Sequence, residues 1–202
     1  VVWFVCCRLI TTLTITSECV DRWVRIVGAV DSRFLMVFIG NRLAQINIVK
    51  EIKIRSGNPN RLIFADRYER PEYLARYRVA DLFLDTHPYN AGTTASDALK
   101  MGLPMLTMLG QSYQARMGAS ILTSINLPEL ITHTSEEYES LAIELATNPK
   151  KLKAIKDKLA SNLSTAPLFD TQRFTKNIES AYTQMYERNQ QGLEPDHIYV
   201  EE

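Results

Sequence analysis

Two threonines and a glycine stand between an apolar run and a helical pattern, in the stretch Asn90-Ala-Gly-Thr-Thr94. The free amide groups and the positive dipole end of a helix N-terminus favour an anion, and a glycine lets a phosphate approach the backbone closely. Thr93 and Thr94 would add hydroxyl donors beside Gly92. The pattern is typical of a phosphate site, and it is also typical of an ordinary helix start.

Asp97 follows Thr94 by about one helical turn, so its carboxylate is expected on the same side of the helix as the phosphate-binding groups. There it could accept hydrogen bonds from a ribose diol. The alternative is that Thr94-Ala-Ser-Asp97 is a capping pattern, which stabilises the helix by ~1 kcal/mol and needs no ligand. The pattern alone leaves both interpretations open.

Two neighbouring segments could complete a nucleotide site. Gly110-Gln-Ser112 is a second strand-to-helix turn that could hold a second phosphate, or Ser112 could be a plain helix cap. Arg70 and Tyr73 precede the apolar strand and offer a cation and an aromatic face to a nucleobase. Tyr73 could equally pack within its own helix.

Other chemistries have little support in the sequence. There is no Gly-x-x-x-x-Gly-Lys-Ser/Thr loop, no Asp-x-Asp pair and no cluster of His or Cys, so we expect neither a Walker-type nucleotidase nor a bound metal or cofactor. The three histidines are isolated in the sequence. The 23 basic and 23 acidic residues balance to zero, which argues against nucleic acid or an anionic membrane as partner.

Cys6, Cys7 and Cys19 have no metal-ligand spacing and are odd in number, so we expect small core residues in a reducing cytoplasm. The apolar opening stretch stops at Arg8, which makes it too short for a membrane span. We therefore expect a cytoplasmic location.

Strands and helices alternate along the chain. Helical patterns cover 18–30, 43–55, 71–77, 94–101, 113–124 and most of 135–188; a turn at Asp31 and Ser32, and strands at 34–39, 61–65, 79–84 and 105–109, lie between them. Alternation at this pitch predicts an α/β fold with a Rossmann-like parallel sheet covered by helices on both faces. We assign 1–188 to one domain and 189–202 to a C-terminal tail. Phe169, Phe174, Tyr182 and Tyr186 are expected to be core contacts of the terminal helices.

Five segments resemble the C-terminal catalytic lobe of the protein O-GlcNAc transferase and SPINDLY family, glycosyltransferase family 41. They are RLIFADR (61–67), EYLARYRVADLFLDT (72–86), YNAGTTASDALKMGLP (89–104), APLFD (166–170) and PDHI (195–198). The resemblance covers nearly the whole chain in order and is much more specific than a general Rossmann pattern.

The resemblance implies the C-terminal lobe of a two-lobed GT-B enzyme that transfers GlcNAc from UDP-GlcNAc to Ser or Thr of proteins, with inversion and without a metal. The family's diphosphate-binding threonines fall on Thr93 and Thr94, and its ribose-binding aspartate falls on Asp97. Its basic residue beside the uracil falls on Arg70, and the ring that stacks on the uridine falls on Tyr73.

The sequence departs from the family at several positions. Thr14 stands where members carry a lysine that neutralises the diphosphate, and loss of such a cation could lower the rate about 10²-fold. Lys100 stands where many relatives have Trp, and residues 8–17 lack the family's Phe-Asn pattern. Gly92 replaces a His of animal members, which leaves open a SPINDLY-type donor, GDP-fucose.

The family's other catalytic lobe and its tetratricopeptide repeats, which recruit protein acceptors, are not found in these residues. We therefore expect the segment to bind a nucleotide sugar without transferring it by itself. The alternative is a degenerate nucleotide-binding or interaction module that has lost catalysis, which Thr14 favours.

Overall fold

The computed structural model describes residues 4–8, 14–30, 34–38 and 40–200, and for 34–38 it describes the backbone alone. Within these ranges the chain forms six β-strands and eight α-helices. The strands are β1 (Val5–Arg8), β2 (Phe34–Phe38), β3 (Leu62–Ala65), β4 (Leu82–Leu84), β5 (Met105–Met108) and β6 (Ile131–Thr132). The helices are α1 (Ser17–Ala29), α2 (Arg42–Ile54), α3 (Arg70–Arg76), α4 (Thr93–Lys100), α5 (Tyr113–Ser124), α6 (Ser135–Thr147), α7 (Pro149–Asn162) and α8 (Thr171–Gln190).

All six strands are parallel and form one sheet in the order β3-β2-β1-β4-β5-β6. β1 and β4 lie side by side at its centre, with Cys6 opposite Leu82. The chain leaves β1 toward β2 and leaves β4 toward β5, in opposite directions. In open α/β sheets, ligands bind at the carboxyl ends of neighbouring strands whose connections leave in opposite directions, which makes the crevice beyond the ends of β1 and β4 the expected ligand site.

The helices form two groups. α1 packs against α2 and α6, and α6 packs against α7, whereas α4 and α5 pack against each other and against β5. Because the crossovers run in opposite directions from the centre and are right-handed, the two groups cover opposite faces of the sheet. The predicted fold class, a parallel sheet with helices on both faces, is confirmed.

Several helix boundaries follow from polar caps that the sequence supplies. The Thr16 hydroxyl accepts from the backbone N–H of Cys19 at the start of α1, and the Asn41 side chain caps α2. Gly102, with φ +81°, ends α4 as predicted. The predicted turn at Asp31 and Ser32 lies outside the described residues.

The strand predicted over 79–84 is wrong in its first half. Residues 77–79 form a 3-10 turn that buries Tyr77 and leaves Val79 exposed, and β4 begins only at Leu82. The physical reason is that the buried Tyr77 ring closes the end of α3 before the chain can extend into the sheet. β1 and β6 were not predicted, although β1 lies at the sheet centre.

The three cysteines are confirmed as buried core residues with free thiols. Burial raises the pKa of Cys6 to about 12, so this thiol stays protonated. No helix in the described part of the chain is long and apolar enough to cross a membrane.

The expected core role of the C-terminal aromatic residues is wrong for three of four. Phe169 packs against the core, but Phe174, Tyr182 and Tyr186 are each at least 60% exposed on α8. Their spacing matches a helix, yet α8 buries none of its residues in this chain. Helical periodicity therefore identified the element correctly and its environment incorrectly.

Candidate functional site

The turn that follows β4 is held by the carboxylate of Asp85. Its Oδ1 accepts from the backbone N–H groups of Thr86 and Ala91, both at 2.8 Å, and its Oδ2 accepts from the Thr107 hydroxyl at 2.6 Å. The Tyr138 hydroxyl donates to the Asp85 carbonyl at 2.9 Å. One acid thus closes the loop between the end of β4 and the start of α4.

Asn90 and Thr86 fix the middle of the same turn. The Asn90 side-chain amide donates to the Thr86 carbonyl at 2.7 Å, and its Oδ1 accepts from the Gly118 N–H at 3.3 Å. The Thr86 hydroxyl donates to the Tyr89 carbonyl at 2.7 Å. Asp85, Thr86 and Asn90 are all buried, so the turn is a packed structure rather than a loose surface loop.

The N-terminus of α4 lies directly beyond this turn. Gly92 occupies the cap position without a side-chain hydrogen bond, Thr93 is exposed and Thr94 is half-buried. The interpretation of Thr94 and Asp97 as a capping pair is therefore wrong, because the helix begins at Thr93, two residues earlier than a cap at Thr94 requires. The first amide groups of a helix have no partner within it, so they face whatever approaches this end.

A Cβ atom placed on Gly92 would meet no protein atom closer than Met117 Cγ at 4.0 Å. The protein's own packing does not require a glycine there. A helix N-terminus whose first amide groups have no side-chain cap is an arrangement that a bound anion can complete.

Asp97 and Arg70 come together beside this helix end. Arg70 Nη2 donates to Asp97 Oδ1 at 3.0 Å, with the Asp97 side chain buried and the Arg70 side chain 66% exposed. A carboxylate has about four lone-pair sites, so this contact leaves room for a diol. The exposed cation contributes little to stability, since surface ion pairs are typically worth under ~1 kcal/mol.

Tyr73 belongs to the same cluster and is half-buried. Its ring lies edge-on to that of Tyr77 with centroids 5.3 Å apart, and the two hydroxyls are 2.6 Å apart. The Tyr77 hydroxyl donates to the Thr94 carbonyl at 3.3 Å. Burial, with Asp97 nearby, raises the pKa of Tyr73. The structure thus joins four predicted residues, Arg70, Tyr73, Thr94 and Asp97, although Tyr73 also packs against Tyr77 in the 3-10 turn that follows its helix.

The second turn, Gly110 to Ser112, does lie beside the first. The Asn90 N–H donates to the Gln114 carbonyl at 3.2 Å, and a Cβ on Gly110 would come within 2.8 Å of His87 Nε2. The Ser112 hydroxyl, however, accepts from the Ala115 N–H and caps α5. The capping interpretation of Ser112 is therefore the one observed.

Thr14 lies at the carboxyl end of β1, next to the turn. Its hydroxyl oxygen accepts a hydrogen bond from Arg8 Nη2 and lies 3.5 Å from the Thr86 hydroxyl oxygen. Most of the altered stretch around it, residues 9–13, lies outside the described residues.

Two titratable groups of the turn have shifted pKa values. Burial raises the pKa of Asp85 from 3.8 to about 7, against the opposing effect of its hydrogen bonds to Thr107, Ala91 and Thr86 and of the Arg8 charge. Burial also lowers the pKa of His87, with a further contribution from Arg22.

Residues 3–178 match the family described as Glycosyl transferase family 41. The chain belongs to this family. It is 32% identical over 91% of its length to the probable UDP-N-acetylglucosamine–peptide N-acetylglucosaminyltransferase SEC of Arabidopsis thaliana, and 30% identical over 95% to the corresponding Caenorhabditis elegans enzyme. It spans 19% and 17% of these two relatives, which are therefore about five times longer.

Family 41 membership agrees with a comparison of folds. An O-GlcNAc transferase of Thermobaculum terrenum superposes with a TM-score of 0.85 at 28% identity, over 91% of this chain and 36% of that one. This likeness confirms the predicted assignment of the fold to a lobe of a GT-B glycosyltransferase.

Arg8, Asp85 and Thr86 are the residues of this site that sequence reasoning missed. The sequence contained a signal for the two charged residues among them, Asp85 and Arg8. Asp85 directly follows three apolar residues of a buried strand, and Arg8 ends the first apolar run. A charge placed at the end of a buried strand must find partners there, so both positions were candidates for a buried polar network.

Proposed function

We propose that this chain is the donor-binding lobe of a protein O-GlcNAc transferase, with UDP-GlcNAc as its donor. The proposed reaction is inverting, metal-independent transfer of GlcNAc to Ser or Thr hydroxyls of proteins. Membership in family 41 and the names of the curated relatives support the reaction class. One observation of the site carries the donor assignment: the Asp97–Arg70 pair adjoins a helix N-terminus that has no side-chain cap.

In this proposal, different residues contact the diphosphate, the ribose and the uracil of the donor. The diphosphate meets the first amide groups of α4 and the hydroxyls of Thr93 and Thr94, which donate to phosphate oxygens. Asp97 accepts hydrogen bonds from the ribose diol. Arg70 places its charge beside the uracil, and the aromatic face of Tyr73 stacks on the base. Gly92 keeps the backbone accessible to the phosphates.

Transfer in this scheme is a direct displacement at the anomeric carbon. A bond forms from the acceptor hydroxyl oxygen to that carbon, the bond to the diphosphate oxygen breaks, and the acceptor proton is released. UDP leaves with the bonding electron pair, so negative charge grows on its phosphates. Helix amides and threonine hydroxyls that are already oriented stabilise that charge without reorganisation.

Calorimetric titration of the 202-residue chain with UDP, GDP and uridine tests the proposal. We expect UDP to bind in the micromolar range, uridine far more weakly because it lacks the phosphates, and GDP more weakly because the base site fits uracil. Tighter binding of GDP would transfer the assignment to a SPINDLY-type donor. A folded chain that binds neither nucleotide would contradict the proposal and favour a degenerate module.

The Asp97→Asn variant tests the ribose contact in the same titration. Loss of a charged hydrogen bond should weaken UDP about tenfold or more and remove the preference for UDP over 2′-deoxy-UDP. Asp157→Asn is the matched control, since this exposed acid pairs with Lys153 on α7. Equal UDP affinity in wild type and Asp97→Asn would assign Asp97 a structural role alone.

A further inference from the structure

Arg8 is a fully buried cation at the carboxyl end of the central strand β1. Its guanidinium donates to the Thr14 hydroxyl and lies over the Trp23 ring, 5.6 Å from the centroid. Taking a charge out of water is costly, so a buried arginine needs compensating partners. None of the proposed contacts to the donor involves Arg8.

A chain of contacts joins Arg8 to the turn before α4. The Thr14 oxygen that accepts from Arg8 is the one that lies 3.5 Å from the Thr86 hydroxyl. Thr86 in turn bonds the carbonyl of Tyr89 and accepts, through its own carbonyl, from the side chain of Asn90. Arg8 is therefore coupled to the backbone that leads into Gly92 and Thr93.

Asp85 is an acid beside the turn whose charge acts on Arg8. The Asp85 carboxylate is an anion that favours the charged form of Arg8, but both of its oxygens already accept hydrogen bonds from the turn and from Thr107. Burial lowers the pKa of Arg8 to about 10 and raises that of Asp85 to about 7. Near pH 7 the arginine is charged, whereas the acid is only partly ionised.

We propose that Arg8 is a positioning residue of the donor site, which orients the phosphate-facing turn through Thr14 and attracts the diphosphate from beneath it. This inference rests on the proposed function. A buried cation is screened less than a surface one, so its field extends to the crevice above the strand ends. The same geometry predicts that a lysine at position 14 would replace the charge of Arg8 beneath the turn, because Arg8 donates its hydrogen bond to the Thr14 side chain.

The test compares UDP with uridine in Arg8→Met, in Arg8→Met combined with Thr14→Lys, and in Arg61→Met. Arg61 is the matched control: it donates to the carbonyls of Val27 and Val30 and directly precedes β3, the edge strand two positions from β1, and its loss changes the net charge equally. We expect Arg8→Met to lower the affinity for UDP at least tenfold and the affinity for uridine less than twofold. The double variant should recover most of the UDP affinity, and Arg61→Met should bind both ligands as wild type does.

A folded Arg8→Met variant that loses UDP and uridine affinity equally, or neither, would overturn the inference and make Arg8 a structural residue. If Arg8→Met does not fold, the test is an NMR titration of the wild-type chain with UDP and with uridine that follows the resonance of the Arg8 Nε–H group. That resonance should shift with UDP and not with uridine, and an equal response to both ligands would overturn the inference. A folded wild-type chain that binds no nucleotide would instead overturn the proposed function itself.

Discussion

Asp85 holds the turn between β4 and α4 from inside the protein, where an ionised carboxylate is unfavourable. Its pKa of about 7 in the fold, against an ordinary value near 4, means that the folded chain retains a proton which the unfolded chain has released between pH 4 and 7. Stability from this group is therefore fully present below pH 4 and is lost as the pH rises toward 7.

Asp85→Asn should remove this pH dependence. The amide keeps an oxygen for the N–H groups of Thr86 and Ala91, and it can donate to the Thr107 hydroxyl. We expect the difference in unfolding free energy between wild type and variant to change by on the order of 4 kcal/mol between pH 4 and 8, measured by urea unfolding. Because His87 is present in both chains, its titration cancels; parallel stability curves would contradict the assigned pKa.

At the residue scale, the sequence predicted the residues around the start of α4 and missed the buried residues that support the turn before it. Arg70, Tyr73, Thr94 and Asp97 could be grouped because each sits at a helix start or one turn beyond it. The links from Arg8 through Thr14 to Thr86 depend on which strands are neighbours, and residue spacing contains no information on that pairing.

At the element scale, two glycines in the helices around the site differ in how much space a side chain would have. At the start of α4, a Cβ on Gly92 would make only an ordinary van der Waals contact with Met117 Cγ at 4.0 Å, whereas a Cβ on Gly118 of α5 would clash with Thr107 Oγ1 and lie 2.6 Å from Asp85 Oδ2. Gly118 thus allows α5 to approach the acid that holds the turn. Gly92 has no such packing role.

Alanine at these two positions should separate stability from binding. Gly118→Ala should lower the unfolding free energy by about 1–3 kcal/mol through overpacking. Gly92→Ala should change it by under about 1 kcal/mol but weaken UDP about tenfold, because the new methyl group occupies the phosphate space. Thermal unfolding and UDP titration of both variants provide the check. Unchanged UDP affinity in Gly92→Ala would contradict a phosphate at this helix end.

Element types were easier to predict than element limits. The long periodic helix α5 spans the predicted residues 113–124, because many residues contribute to the pattern. β6 has two residues and leaves no detectable alternation, and Tyr77 displaced the start of β4 through a tertiary contact.

At the scale of the whole molecule, α8 carries its aromatic residues on the surface. Tyr182 is 60% exposed, whereas Tyr77 is completely buried and bonded to Tyr73 and Thr94. Tyr182→Leu should therefore shift the unfolding free energy of this chain by under about 0.5 kcal/mol, and Tyr77→Leu by about 2 kcal/mol or more. Urea unfolding of the two variants is the measurement, and a large loss for Tyr182→Leu would contradict the exposed position of that face.

The pairing of β1 with β4 joins distant parts of the chain. The Val5 N–H donates to Asp81 Oδ2 across a separation of 76 residues, and the Asp81 N–H donates back to the Val5 carbonyl. During synthesis from the N-terminus, β1 and Arg8 leave the ribosome well before the strand that completes their environment. The crevice beyond the ends of β1 and β4 is thus completed late in biosynthesis, because the apolar strand β1 and the buried Arg8 lack their native neighbours until β4 has emerged.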